Sequence, residues 1–188
     1  MNPELKNLTW KLNWWRQSEL EGALLLGRMV GLAPTRDLCH RLLRHCAEEA
    51  EHARIWADVI AELSLDHVRI RRSYQSFFLQ YTGAPSSLVE VLAFTQIFER
   101  RVHRRFRQEL RTPGLPAPVV HAYTCMMEDE KDHLAWVAAW LAEQPVAPAE
   151  LRRFEAADRA VLASLQPYEN RLWDIPALGE PETQEVAP

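Results

Sequence analysis

Four long stretches of this 188-residue chain carry apolar residues at helical spacing, and each has a glutamate set inside its apolar stripe. A stripe that faces a core has no water to hold an ionised carboxylate, so a charge placed there needs a compensating partner. Four such charges restrict the chain to folds in which helices bring them together. The first stretch, about 8–30, presents Leu12, Trp15, Gly22, Ala23, Leu26 and Val30 around Glu19 and stops at Gly31-Leu32-Ala33-Pro34. Thr35 can cap the second, which reaches about residue 63 with Leu42, His45, Glu49, His52, Trp56, Val59, Ile60 and Leu63 inward. The third, about 87–111, shows Leu88, Leu92, Thr95, Glu99, Val102, Phe106 and Leu110, then breaks at Thr112-Pro113-Gly114. The fourth, about 116–143, shows Tyr123, Met126, Met127, Glu130, His133, Val137, Trp140 and Leu141 before Gln144-Pro145. With only 6 glycines and segments rich in Leu, Ala, Arg and Glu, the chain is all-α.

The short break at 31–34 makes the first two helices antiparallel neighbours. Residues 64–86 form a connection long enough to cross a bundle end to end, with a short packed piece expected at Tyr74, Phe77, Phe78 and Tyr81. Residues 1–143 therefore read as one helical unit. Residues 144–188 hold six of the twelve prolines and read as a fifth helix over about 148–165, capping the bundle, followed by a disordered tail ending GEPETQEVAP. An internal repeat emerges on stacking the helices: Glu99 follows Glu19 by 80 residues, and Glu130 and His133 follow Glu49 and His52 by 81. Leu12 then falls on Leu92, Leu26 on Phe106 and Ile60 on Leu141.

A net charge of −4 argues against a nucleic-acid partner, and a 47% hydrophobic content is too high for a disordered chain. No stretch has the roughly 18 uncharged apolar residues of a membrane helix, and the start MNPELKNLTW has no leader pattern, so the expectation is a soluble, cytoplasmic protein without a membrane partner. Cys39, Cys46 and Cys125 form no C-x-x-C pair and are expected as small core residues.

Glu49-Ala-Glu-His52 and Glu130-Lys-Asp-His133 are both E-x-x-H, which on a helix puts a carboxylate and an imidazole one turn apart on one face, the spacing of two ligands to one ion. The partner helix of each pair adds one inward glutamate, Glu19 or Glu99, about thirty residues earlier. Four carboxylates and two imidazoles converging in a core can hold two divalent metals, which in turn neutralise the buried charge. An N/O donor set suits iron or manganese, and the lack of thiolates speaks against structural zinc. Glu21 competes with Glu19, but its neighbours Gln17, Leu24, Leu25 and Arg28 make a mixed face; Glu90 competes with Glu99 but lies more than two turns from the level of Glu130. His45 and His103 lie four residues from Glu49 and Glu99, and either is a site residue or, respectively, a satisfied core group and a surface group. Trp56 and Tyr123 are core aromatics or guards of an oxidising centre. The run Glu99-Arg-Arg-Val-His-Arg-Arg-Phe-Arg107 is a solvated face paired with acids or a dock for an acidic donor or anionic substrate. Trp10, Trp14 and Trp15 pack internally, line a dimer contact or border an apolar substrate entrance.

Over about residues 8–143 the pattern resembles the ferritin-like di-iron carboxylate superfamily, which includes bacterioferritin, rubrerythrin, demethoxyubiquinone hydroxylase and aldehyde-deformylating oxygenase. The resemblance implies an antiparallel four-helix bundle with a long connection between helices two and three, two iron ions (or an Fe/Mn pair) held by Glu19, Glu49, His52, Glu99, Glu130 and His133, and O2 as co-substrate. It also implies that the residues preceding the two E-x-x-H glutamates, Glu48 and Asp129, hydrogen-bond the opposite imidazoles and fix their tautomers. Its branches offer an oxidase or oxygenase acting on a small organic molecule with a separate electron donor, a ferroxidase or iron store, and a rubrerythrin-like peroxidase; a metal-stabilised interaction module without turnover stands beside them. Two complete Glu plus E-x-x-H sets favour the oxygenase branch. Storage ferritins usually lack the second histidine, the haem-ligating methionine of bacterioferritin is Ala50 here, and rubrerythrin's extra glutamate is Gln96, with no rubredoxin cysteines. Members are commonly dimers or larger, so a homo-oligomer is expected.

Overall fold

The computed structural model describes residues 2–181. Helix α1 runs Pro3–Met29, α2 Arg36–Glu62, α3 Tyr74–Thr82, α4 Leu88–Glu109, α5 Ala117–Ala142 and α6 Ala147–Leu165, with two three-residue strands, β1 at Val68–Ile70 and β2 at Gly179–Pro181. The class is all-α. Helix α1 begins five residues earlier than its apolar stripe predicts, because Asn2 accepts the Glu4 N–H and Pro3 occupies the first turn, where no N–H is required. Thr35 caps α2 by accepting from the Leu38 N–H, and Ser87 opens α4 with a reciprocal Ser87–Glu90 capping box.

Side-chain registers give the helix directions. In the α1–α2 pair, Gly27 faces Cys46 and Gly22 faces Glu49, so the helices are antiparallel; a Cβ on Gly22 would stand 3.2 Å from a Glu49 carboxylate oxygen, which marks how closely they approach. Trp15 packs on Phe106 and Lys11 pairs with Glu109, so α1 also runs antiparallel to α4. Phe106 meets Tyr123 across α4–α5, while Arg44 pairs with Asp132 and His52 with Asp129 across α2–α5. Helices α2 and α4 therefore point the same way, and residues 63–87 must carry the chain back along the molecule between them. Ser64, at φ 51°, starts that return.

The return path is more structured than its sequence suggests. Besides α3, it holds β1, which pairs antiparallel with β2, Val68 opposite Pro181 and Ile70 opposite Gly179. The expected disordered tail thus begins with a strand at 179–181; its residues 182–188 lie outside the described residues. Two buried asparagines of α1 pin these segments. Asn13 donates to the Asp66 carbonyl and accepts from the Val68 N–H, and Asn7 donates to the Glu169 carbonyl and accepts from the Leu172 N–H. Each satisfies a backbone group that a coil in a dry setting would leave bare.

Helix α6 does not cap the end of the helices. It lies along the flank of α4, with Phe154 against Phe94 and Phe78, Asp158 accepting from the Arg101 Nε, and Arg153 on Glu90. One core cluster runs from Trp10 to Leu178 and includes Phe154, Val161 and Ile175. The cysteines are not fully buried core residues: Cys39 and Cys46 are half-buried, Cys46 packing against the core cluster, and Cys125 is exposed. Among the described residues no helix is long and apolar enough to cross a membrane.

Candidate metal centre

The inward stripes of α1, α2, α4 and α5 deliver Glu19, Glu49, His52, Glu99, Glu130 and His133 to one dry region, each 5% exposed or less. Their donor atoms fall into two overlapping groups. In one, Glu19, Glu49 and His52 each offer an atom within 4.8 Å of the others; in the second, His45, Glu49, Glu99 and His133 do the same. Glu49 belongs to both. Glu130 is in neither group but faces them: burial first, then the charges of Glu99, Glu49 and Glu19, raises its carboxyl well above the usual range.

The imidazoles are oriented from outside. His52 Nε2 lies 3.2 Å from Asp129 Oδ2 and His133 Nε2 lies 2.9 Å from Glu48 Oε2. Ionised carboxylates only accept, so each Nε2 carries the proton and donates, and each Nδ1 keeps a free lone pair. Both Nδ1 atoms are buried without a hydrogen-bond partner, and His133 Nδ1 stands 3.4 Å from Glu49 Oε1. Arg44 Nε donates to Glu48 at 2.8 Å and helps hold that carboxyl below its ordinary range.

Sequence reasoning left His45 undecided between a core group and a site residue. Its Nε2 sits 2.8 Å from Glu99 Oε1 and 3.1 Å from Glu49 Oε1, and its ring stacks on His133 with centroids 3.6 Å apart. The signal was present: His45 is one helical turn before Glu49 on the same stripe. Burial disfavours the imidazolium, yet Glu99 and Glu49 outweigh it and lift His45 to about 10. The cation between those two carboxylates supplies the charge that a metal would supply.

The alternatives to the inward glutamates are occupied elsewhere. Glu21 accepts from Ser73 Oγ and Gln17, and Glu90 serves the α4 capping box. His103 is half-buried and lies outside both groups; burial, then Arg107 and Lys131, lowers its pKa. Trp56 and Tyr123 are fully buried and stack edge-on at 5.1 Å beside Phe106.

Electrostatically the cluster is unbalanced as it stands. Burial, and next the Glu49 charge, raises the Glu19 carboxyl, whereas the adjoining His133 and His45 imidazoles overcome burial and hold Glu49 well below its usual range. Glu19 Oε1, Glu99 Oε2 and Glu130 Oε2 have no hydrogen-bond partner although buried. Natural cores rarely leave so many acceptors bare, and the unmet atoms are all metal donors, so the residues fit divalent cations. A cavity of about 390 Å³ adjoins the cluster between α2 and α5, lined by His45, His133, Glu48, Arg44, Asp132 and Trp136. Comparison of the chain with protein-family models, curated proteins and solved structures found no match.

Proposed function

We propose that the protein is a ferritin-like di-iron carboxylate enzyme, an oxidase or oxygenase that activates O2 and acts on a small organic substrate with electrons from a separate donor. The observation that carries this reading is the sharing of Glu49 between two donor groups, one with His52 and the other with His133, both of whose Nδ1 atoms are buried and bare. One carboxylate common to two donor sets is suited to holding a pair of neighbouring cations. The antiparallel registers, with α2 and α4 parallel and a long return between them, support the bundle topology of that superfamily.

In this reading Glu19, Glu49 and His52 would hold one ion, Glu49, Glu99 and His133 the other, and Glu130 would complete the set. Two irons held there would supply the electrons for O2 reduction. The chain does the rest. Asp129 and Glu48 keep the Nε2 protons of His52 and His133 turned outward, so that both rings present nitrogen lone pairs inward. Trp56, one turn beyond His52, packs with Phe106 and Tyr123 in a fully buried aromatic cluster that keeps water from that part of the core.

The test is metal content per chain after anaerobic loading with Fe(II), followed by air exposure and a near-ultraviolet spectrum. Two irons per chain with an absorption that appears in air is the expected result. Uptake of many irons moves the protein to storage, and no bound metal overturns the reading in favour of a helical interaction module.

A further inference from the structure

The six arginines between residues 100 and 111 divide in two once α4 is folded. Arg101 and Arg105 turn to acids: Arg101 Nε donates to Asp158 at 3.0 Å, and Arg105 pairs with Glu109 and Glu169 at 2.6 and 2.7 Å. Arg100, Arg104 and Arg107 fall at i, i+4 and i+7, one stripe on the outer side of the helix, and Arg111 follows in the turn beyond its end. All four are exposed, and none has an ion-pair partner among the described residues. Pairing with nearby acids thus describes two of the six arginines and leaves a cationic face made by the other four.

That face is not neutralised from within its own helix. No residue three or four positions from Arg100, Arg104 or Arg107 is acidic, and several of those positions are arginine again. Like charges at that spacing repel, so the stripe costs the isolated helix stability that an acidic partner would return. In a chain of net charge −4 it is a local field of the opposite sign. Its place is also particular. Glu99, the residue before Arg100, reaches into the buried cluster, so the face is separated from those donors by no more than the thickness of α4, about 10–12 Å. None of the exposed large apolar side chains lies on α4, so the face has nothing to insert into a lipid bilayer. A face of four charges on an acidic chain also neutralises few phosphates, which disfavours nucleic acid.

We propose that this face docks an acidic one-electron donor protein, whose carboxylates pair with Arg100, Arg104, Arg107 and Arg111. Transient redox encounters use small interfaces, and complementary charge supplies their speed and register. Each docking passes one electron and moves no proton or group: the donor is oxidised by one electron, one Fe(III) held in the cluster becomes Fe(II), and two dockings return both irons. That transfer rests on the di-iron reading; the docking itself stands on the unpaired arginines.

The experiment is calorimetric titration of the protein, as isolated and after iron loading, with an oxidised acidic [2Fe–2S] ferredoxin, followed by stopped-flow oxidation of the reduced ferredoxin by the iron-loaded, air-oxidised sample. One ferredoxin per chain is expected, with a dissociation constant that rises about tenfold or more between about 20 and about 200 mM salt. Arg100→Gln, Arg104→Gln and Arg107→Gln combined, all at exposed positions, should weaken binding and slow electron transfer about tenfold or more, with reduction by dithionite unchanged. Arg28→Gln, Arg36→Gln and Arg152→Gln combined remove the same charge from exposed positions elsewhere and should change either quantity by less than about twofold. An equal loss in both triple variants, no saturable binding at about 100 μM, or tighter binding of single-stranded DNA or phosphatidylserine vesicles than of ferredoxin overturns the proposal. Iron content and dithionite reduction report on the buried cluster separately, and calorimetry on the protein as isolated reads the docking whether or not iron binds.

Discussion

At the scale of single residues, the buried cluster depends on His45 as much as on the six residues that the helical pattern singles out. Those six were legible because each interrupts an apolar stripe at a spacing that repeats between halves. His45 lies on the same stripe but stays undecided in the sequence, because an inward imidazole reads the same whether it bonds the core or joins a site; its 2.8 Å approach to Glu99 separates the two. Its imidazolium takes the place between Glu49 and Glu99 that a bound cation would take, so the two compete. His45→Ala is expected to tighten binding of one of two irons by about tenfold or more in anaerobic titrations, with His103→Ala unchanged as the control. Glu90 offers a pH test away from the metals. The Ser86 backbone N–H and hydroxyl, then Arg153, hold its carboxyl at about 2 against an ordinary 4.5. A depressed folded pKa stabilises above the unfolded value and loses that contribution as the pH falls from about 4.5 towards about 2. Glu90→Gln should therefore melt lower than the parent at pH 7, with the gap closing through that window; a gap constant down to pH 2 would refute the assignment.

At the scale of elements, the five longest helices were readable to within a few residues, since periodicity and caps agree over two dozen positions. The exceptions have physical causes. Helix α3 is nine residues long and so carries too few turns for a decisive period, and β1 and β2 are three residues each, paired across more than a hundred positions of sequence. No local signal marks such a pairing. The position of α6 was missed for a related reason: an amphipathic helix declares that it has a buried face but not which neighbour receives it. The β1–β2 ladder rests on Gly179, where a Cβ would stand 2.5 Å from the Arg69 carbonyl oxygen. Gly179→Ala should break the pairing, seen as faster amide exchange at Arg71, whose N–H donates to the Leu178 carbonyl at 2.7 Å. Unchanged exchange there would mean that the backbone absorbs the methyl at no cost.

At the scale of the whole molecule, the cluster joins two helix pairs, α1–α2 and α4–α5. Cations bound there stabilise only the folded chain. Iron(II) at about a hundredfold excess over its dissociation constant should add about 2.7 kcal/mol and raise the melting temperature by about 5–10 °C under anaerobic conditions. A melting temperature indifferent to metal would place binding, if any, on the surface. The two acids that orient the imidazoles sit at the seam of α2 and α5 and reach solvent, Asp129 with 45% of its side chain exposed and Glu48 with 24%. Glu48 is tied further out to Arg44, itself 66% exposed. The outermost link that orients the cluster thus lies in solvent. Dissolved salt screens the Arg44–Glu48 pair and loosens the hold on the His133 ring, so that ionic strength reaches the buried donors through their outer partners.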